Sequence, residues 1–336
     1  MFHKKLIAAA LTAVCFALPA QAETSYPLTL KNCGVDVTFD AAPKSTVSVG
    51  QAATEILYSL GLGDKVVGTG VWFTEVLPEY KDLNAKIERL ADNDPSFEAI
   101  VAKKPELVTV QYEWHIGPQG IIATREHFKD VGIPTYVLAT DCMQKDNSVG
   151  SDGTRSEMFK IENIYASVNE LSQIFNVPEK GETLVADLKA REAAAAEKAK
   201  ALGLSDATAL FWFSSAEMDV DPYVAGGKGA PAYMMEKLNL RNVIESDEEW
   251  PTVSWETIAR ANPNVIVIAE MDRRRFLADD VEKKLEFLKN DPVASQMDAV
   301  KNNRIIIMNG HAMDPSIRNV AALEMLAEKL AGFDLK

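Results

Sequence analysis

The chain has 336 residues, of which 47% are hydrophobic and 25% charged, and its formal net charge is −14. An excess of acid this large argues against nucleic acid or an anionic lipid surface as a partner, because both repel it. The length exceeds what one hydrophobic core ordinarily organises, so two lobes are expected.

The first 22 residues stand apart. Lys4 and Lys5 open with positive charge, LIAAALTAVCFAL is a short apolar run, and Ala20-Gln21-Ala22 is a small-x-small cleavage motif. This is the pattern of a secretory signal peptide, too short to span a membrane. Val14 precedes Cys15 where a lipid-attachment signal carries a small residue, so a soluble periplasmic protein starting near Glu23 is expected. Loss of Lys4 and Lys5 takes the formal charge from −14 to −16. Cys33 and Cys142 remain, and an oxidising compartment favours their pairing. In the loop-entropy model a closure of about a hundred residues stabilises by up to ~4.7 kcal/mol. The redox or metal alternative finds no Cys-x-x-Cys and no nearby histidine cluster.

Strands then alternate with helices. A β-rich run covers 46–50, a helix with Ile56, Leu57 and Leu60 on one face covers 52–62, and a strand covers 66–70. SFEAIVAKKPELVTV at 96–110 reads as a short helix, a proline stop and a buried strand. A helix closes at 127–131 and IPTYVLA is the next strand. Arg155 to Val177 carries Phe159, Ile161, Ile164, Val168, Leu171 and Ile174 at helical spacing. It predicts one helix of about five turns, roughly 25–30 Å long, acting as a stiff strut. A second helix, at 181–202, is assigned to the second lobe. The polar segment QKDNSVGSDGTRSE before the strut is expected to be a loop. The second half repeats the grammar, with strands at 207–213 and 304–310 and helices at 230–240, 281–288 and 316–330. The implied division is a leader (1–22), an N-terminal α/β lobe (23–155), an interdomain helix (156–177) and a C-terminal α/β lobe (178–336).

The two halves share an internal repeat. SWETIARANPNVIVI at 254–268 aligns without a gap to 96–110: Ser254 with Ser96, Trp255 with Phe97, Glu256 with Glu98, Ile258 with Ile100, and Pro263 with Pro105. LNLRNVI in the second half echoes LGLGDKVV in the first. Alternating strands and helices in tandem imply two Rossmann-like lobes with parallel sheets.

Together, AATEILYSLGLGDKVVG, the paired SFEAIVAKKPELV and SWETIARANPNVI segments and the spanning helix resemble the substrate-binding proteins of ABC importers for iron-siderophores, haem and cobalamin. That group, the class III periplasmic binding proteins, has two α/β lobes joined by a single long spanning helix. The resemblance covers essentially the whole mature chain. It implies a monomeric binding protein and not an enzyme, with no cofactor of its own, that delivers a small-molecule metal chelate to a membrane permease dimer. It also implies that Glu98 and Glu256 dock in arginine pockets on that permease. Read from the residues alone, each acid sits in the first turn of a helix, where the helix field stabilises it by about 0.3–1 kcal/mol, and needs no further role.

Ligands of doubly wound lobes sit at the carboxyl ends of strands. That places Gln51, Trp72, Tyr112, Glu113, Trp114 and His115 of the first lobe at the cleft. The second lobe supplies Trp212, Tyr223, Trp250, Arg273, Arg274, Arg275 and His311. Aromatic side chains there suit a broad ligand and the arginines suit an anionic one. Each is also readable as core packing or as a solvated face. A ferric siderophore is the leading expectation, with cobalamin, haem or another cofactor precursor as alternatives. A bare metal ion is disfavoured, since only His115, His127 and His311 remain after processing, in no ligand spacing. GGKGAP before a helix could cradle an anion or simply turn the chain. An exported hydrolase would require a nucleophile motif that is absent; Asp314 near His311 is the only acid–base pair in view.

Overall fold

The computed structural model describes residues 23–148, 153–204 and 206–335; the leader and residues 149–152 of the polar loop lie outside the described residues. The chain begins with an antiparallel hairpin, β1 (Leu28–Asn32) and β2 (Val35–Phe39). Its two turn residues, Cys33 (φ 48°) and Gly34 (φ 81°), are both left-handed, as a tight two-residue hairpin requires. The first lobe follows with β3 (Thr46–Val49), α1 (Gln51–Ser59), β4 (Val66–Gly70), β5 (Arg89–Ala91), α2 (Phe97–Val101), β6 (Leu107–Val110), α3 (Arg125–Asp130) and β7 (Thr135–Val137). Its strands form one parallel sheet in the order β5-β4-β3-β6-β7. Helices cover both faces of such a sheet, so β3 and β6 are buried along their whole length.

A short hairpin, β8 (Lys145–Asp146) with β9 (Thr154–Arg155), replaces the expected featureless loop. Then come α4 (Glu162–Ile174), α5 (Pro178–Leu202), β10 (Thr208–Ser214), β11 (Tyr223–Val224), α6 (Ala230–Lys237), β12 (Arg241–Asn242), α7 (Trp255–Ala261), β13 (Val265–Glu270), α8 (Val281–Asn290), β14 (Ile305–Asn309) and α9 (Arg318–Ala331). In the second sheet β12, β10, β13 and β14 lie side by side and parallel, and β11 adds an antiparallel edge to β10. The run β12-β10-β13-β14 reproduces β4-β3-β6-β7, so the lobes share a topology as well as a sequence pattern.

The repeat extends to backbone detail. Ser96 Oγ accepts the Ala99 N–H at 3.2 Å and Ser254 Oγ accepts that of Thr257 at 3.3 Å, capping α2 and α7 alike. After each helix a left-handed residue, Lys104 (φ 50°) or Asn262 (φ 45°), precedes the proline. Ile100 and Ile258 are both wholly buried.

The connection between lobes differs from the expected strut. The helix expected over 156–177 spans Glu162–Ile174, 13 residues and about 20 Å. Residues ahead of it are used otherwise: the Phe159 N–H donates to the Lys228 carbonyl at 2.8 Å. After α4 the chain reverses through 175–177 into the 25-residue α5, with Pro178 in its first turn. α5 packs along both α4 and α9, so it belongs to the backbone of the molecule as much as to the second lobe. Gly181 permits the close approach, since a Cβ there would lie 2.2 Å from Ser172 Oγ. The Tyr165 and Tyr233 hydroxyls, from α4 and α6, both donate to Glu192 on α5. A single apolar cluster runs through both lobes by way of α4, α5 and α9. A second cluster lies behind the second sheet.

Candidate functional site

The two lobes face each other across the carboxyl ends of their strands. In the first sheet the order reverses between β3 and β6, and Gln111 and Tyr112 follow β6 at that switch point, where open α/β sheets bind ligands. They line a small interlobe cavity of about 20 Å³ with Thr140 and Asp141 beyond β7, Lys145 and Arg155 from the β8–β9 hairpin, Glu249 and Trp250 before α7, and Asp314 and Pro315 beyond β14. Such a space holds about one water molecule. Ligand pockets are ordinarily about 300–1,000 Å³, so this space is too small for a ligand of that kind unless the lobes part.

Charge dominates this cavity. Arg155 is almost wholly buried; its Nη2 donates to the Thr140 carbonyl at 2.9 Å, and its Nε lies 3.1 Å from Glu249 Oε1 of the other lobe. Lys145 Nζ pairs with Asp141 Oδ1 at 2.6 Å. Gln111 Oε1 accepts the Ala52 N–H at 3.0 Å. Its Nε2 is buried with no hydrogen-bond partner among the described residues. Gln111 is pressed against Gly50, where a Cβ would come within 2.2 Å of Gln111 Cβ; Gly50 also has φ +120°, so glycine is needed twice over.

Beside the cavity the loop after β4 crosses to the second lobe as a tongue. The Phe73 carbonyl accepts N–H bonds from Asp272 (2.9 Å) and Arg273 (3.1 Å), and Asp272 Oδ2 accepts the Glu75 N–H at 2.7 Å. The Arg273 guanidinium lies 4.1 Å over the Phe73 ring, whose centroid is 5.3 Å from that of His311. Arg318 of α9 donates through Nε to Glu55 Oε2 of α1 at 2.8 Å, through Nη2 to Glu55 Oε1, and to the Glu75 carbonyl at 2.7 Å. Buried, bidentate and charge-assisted, this is a strong polar link between the lobes.

Several residues expected at the ligand are placed elsewhere. Trp212 is fully buried behind the second sheet, 4.8 Å from Trp255, with its indole N–H donated to the Ser214 carbonyl; it is core. Trp72 is buried beneath Arg89 and donates to Thr69 Oγ1. Gln51 is wholly buried, and its Oε1 accepts the N–H groups of Phe73 (3.1 Å) and Thr74 (3.2 Å), which sets the tongue. His115 is wholly buried, its Nε2 3.0 Å from Asp94 Oδ1 and its ring stacked 3.9 Å from Trp114. That bond holds the Asp94 carboxyl below the usual carboxylate range. Glu113 faces a separate surface groove of about 1140 Å³ between the β1–β2 hairpin and the first lobe. Burial pushes its carboxyl up, opposed by a hydrogen bond from Asn147.

His311 is wholly buried, and neither ring nitrogen has a hydrogen-bond partner among the described residues. Burial, then Arg318 and Arg273, hold it well below the ordinary histidine range, so it is a neutral ring in the interface. Of the arginine run, Arg273 packs on Phe73 as described, Arg274 turns back on the Met271 carbonyl and Arg275 lies over Phe276. Tyr223 packs against Phe276 at the rim. Tyr112 and Trp250 are the two expected aromatics that line the cavity. GGKGAP serves packing: a Cβ on Gly226 would lie 2.2 Å from the Glu248 carbonyl oxygen. Among the described residues no three His, Cys, Asp or Glu side chains gather as a metal site.

The sequence reading overlooked Arg155, Lys145, Glu249 and Gln111. Gln111 was recoverable, since it directly precedes Tyr112 at the end of β6. Arg155 and Lys145 sat in a segment read as loop. Glu98 and Glu256 are both exposed on the first turns of α2 and α7. Helices of a parallel α/β unit start at the carboxyl edge of the sheet, so both acids lie on the cleft side of their lobes. Cys33 and Cys142 form a disulfide, pinning the hairpin turn to the segment beyond β7.

Comparison with known proteins agrees with this architecture. A family model described as periplasmic binding protein matches residues 47–312. The uncharacterized ABC transporter substrate-binding lipoprotein YvrC of Bacillus subtilis (strain 168) is 26% identical over 312 residues, 91% of this chain and 86% of that protein. A vitamin B12-binding protein of Vibrio campbellii is 25% identical over 258 residues, 75% of this chain and 76% of that protein. The crystal structure of an ABC-type Fe3+-hydroxamate transport system from Saccharomonospora viridis is 26% identical with a TM-score of 0.71, covering 91% of this chain and 99% of that one. With two lobes of one topology, a helical backbone and a charged cavity between facing strand ends, the chain belongs to the periplasmic binding protein family, whose members bind solutes and are not enzymes.

Proposed function

We propose that this chain is the exported, periplasmic binding component of an ABC importer. It captures a ferric siderophore between its lobes and hands it to the membrane permease through Glu98 and Glu256. The observation that carries the reading is the interlobe cavity, where buried Arg155 and Lys145 lie beside the aromatic rings of Tyr112 and Trp250. Cation and ring together suit a broad chelate with anionic oxygen donors. The similarity to a structure of an Fe3+-hydroxamate transport system supports an iron chelate as cargo. Cobalamin is the second reading, favoured by the vitamin B12-binding protein of Vibrio campbellii. Native mass spectrometry and absorbance of protein purified from its own periplasm test the choice. A ferric charge-transfer band with a matching chelate mass is expected; a corrin spectrum selects the second reading, and ligand-free protein that binds no chelate refutes both.

A further inference from the structure

The Arg155–Glu249 contact joins the lobes at the cavity, and it is poorly made. The two atoms are 3.1 Å apart, yet neither Arg155 Nε nor Glu249 Oε1 forms a hydrogen bond of good geometry. Arg155 is otherwise held within the first lobe, by the Thr140 carbonyl at 2.9 Å and the Met143 carbonyl at 3.5 Å. Glu249 is held by the second lobe, where its own carbonyl accepts the Gly226 N–H at 2.9 Å. When the lobes part, Glu249 therefore leaves and Arg155 stays. Lys145 is already paired with Asp141, so Arg155 becomes the cation in need of an anion. Gln111 lines the same cavity, and its Nε2 is a buried donor with no hydrogen-bond partner among the described residues. A solute that fills the opened cleft buries Arg155 again, and a buried cation without a partner is costly, so an anionic group is favoured there over a neutral one.

We propose that Glu249 is a built-in stand-in for an anionic oxygen group of the ligand, which replaces it at Arg155 with Gln111 Nε2 as a second donor. The chain then selects chelates that present a carboxylate or phenolate beside an apolar body. Glu249 acts as a positioning residue that keeps the lobes shut and competes with the ligand's anionic group for Arg155. This deepens the proposed function and rests on it for the existence of a captured chelate.

The test uses the mature protein, Glu249→Gln, Arg155→Gln and the double variant. Ferric tris(2,3-dihydroxybenzoate) and ferric citrate serve as anionic probes, and ferrioxamine B and cyanocobalamin as probes without net negative charge. Binding is read by tryptophan fluorescence. Lobe separation is read by spin labels on Glu98→Cys and Glu256→Cys in each background. Glu249→Gln should widen the label distance without ligand and tighten an anionic probe by about tenfold. Arg155→Gln should weaken that probe by at least about tenfold, and adding Glu249→Gln to it should recover nothing. If probes bind but Glu249→Gln moves neither distance nor affinity, or if uncharged probes gain as much as anionic ones, this inference falls and capture stands. If no probe binds any form, the capture reading falls and takes this one with it.

Discussion

Lys284 on α8 is wholly buried, and its ammonium donates to the carbonyls of Phe213 (2.5 Å) and Ala269 (2.7 Å) near the ends of β10 and β13. Burial pushes its pKa down from 10.5 to about 7, with Asp279 opposing and Arg274 assisting. The unfolded chain therefore holds this proton through a window, from pH 7 to pH 10.5, in which the folded chain has released it. Where the unfolded state binds more protons, stability rises with pH. The penalty is complete below pH 7, shrinks as pH rises, and is gone above the unfolded pKa. At 1.36 kcal/mol per unit, this one side chain adds on the order of 4 kcal/mol of stability between about pH 6 and about pH 10. Lys284→Met removes that slope, but strands two carbonyls at a cost of about 1–3 kcal/mol each at every pH. Urea unfolding of both proteins over this range, followed by circular dichroism, measures the difference. The wild type should exceed the variant most at high pH, with the gap closing or reversing near pH 6. Two stability profiles that run parallel from pH 7 to pH 10 would refute the reasoning.

Further outcomes are expected. Removing Glu98 and Glu256 together, as Glu98→Ala with Glu256→Ala, should cost at most about 1 kcal/mol per site in unfolding experiments. Ligand affinity should stay normal while uptake by cells fails; normal uptake removes them from docking. Arg318→Met leaves Glu55 buried and unpaired and should destabilise by about 3–5 kcal/mol in urea unfolding, while Glu55→Gln beside it recovers part of the loss. A loss below about 1 kcal/mol would mean that the link between the lobes contributes little. Replacing both Cys33 and Cys142 by serine should lower stability by up to ~4.7 kcal/mol, and dithiothreitol should do the same to the wild type but not to the variant.

The repeat was legible because its parts are local. A serine cap, an aromatic, a buried isoleucine and a proline each act within a few residues, and the fold reproduces them down to the left-handed residue before each proline. The parallel strands were legible because burial on both faces leaves continuous apolar runs. The length of α4 was misjudged because Phe159 and Ile161 are buried at helical spacing, yet the backbone there hydrogen-bonds to the 226–229 turn. The β1–β2 hairpin was overlooked although its signal is present: LTLKN and VDVTF alternate around Cys33-Gly34. At the cavity, position relative to strand ends brought Tyr112 and Trp250 together, but did not tell which way other side chains point. Trp212 lies within β10 and faces the rear cluster, whereas Trp250 stands on a loop at the cavity. Arg155 meets Glu249, 94 positions later in the chain, across the lobe boundary, a neighbour that no local pattern encodes.

The tongue at Phe73 makes the two ends of the interlobe seam unequal. On its side the seam is sewn by backbone bonds to Asp272 and Arg273 and by the two-pronged grip of Arg318 on Glu55. On the Trp250 side the pair of Arg155 and Glu249, which spans it among the described residues, is misaligned. A molecule fastened like this would gape as a purse does, from the loose corner, so a captured solute would pass beside Trp250 while the far corner stays stitched.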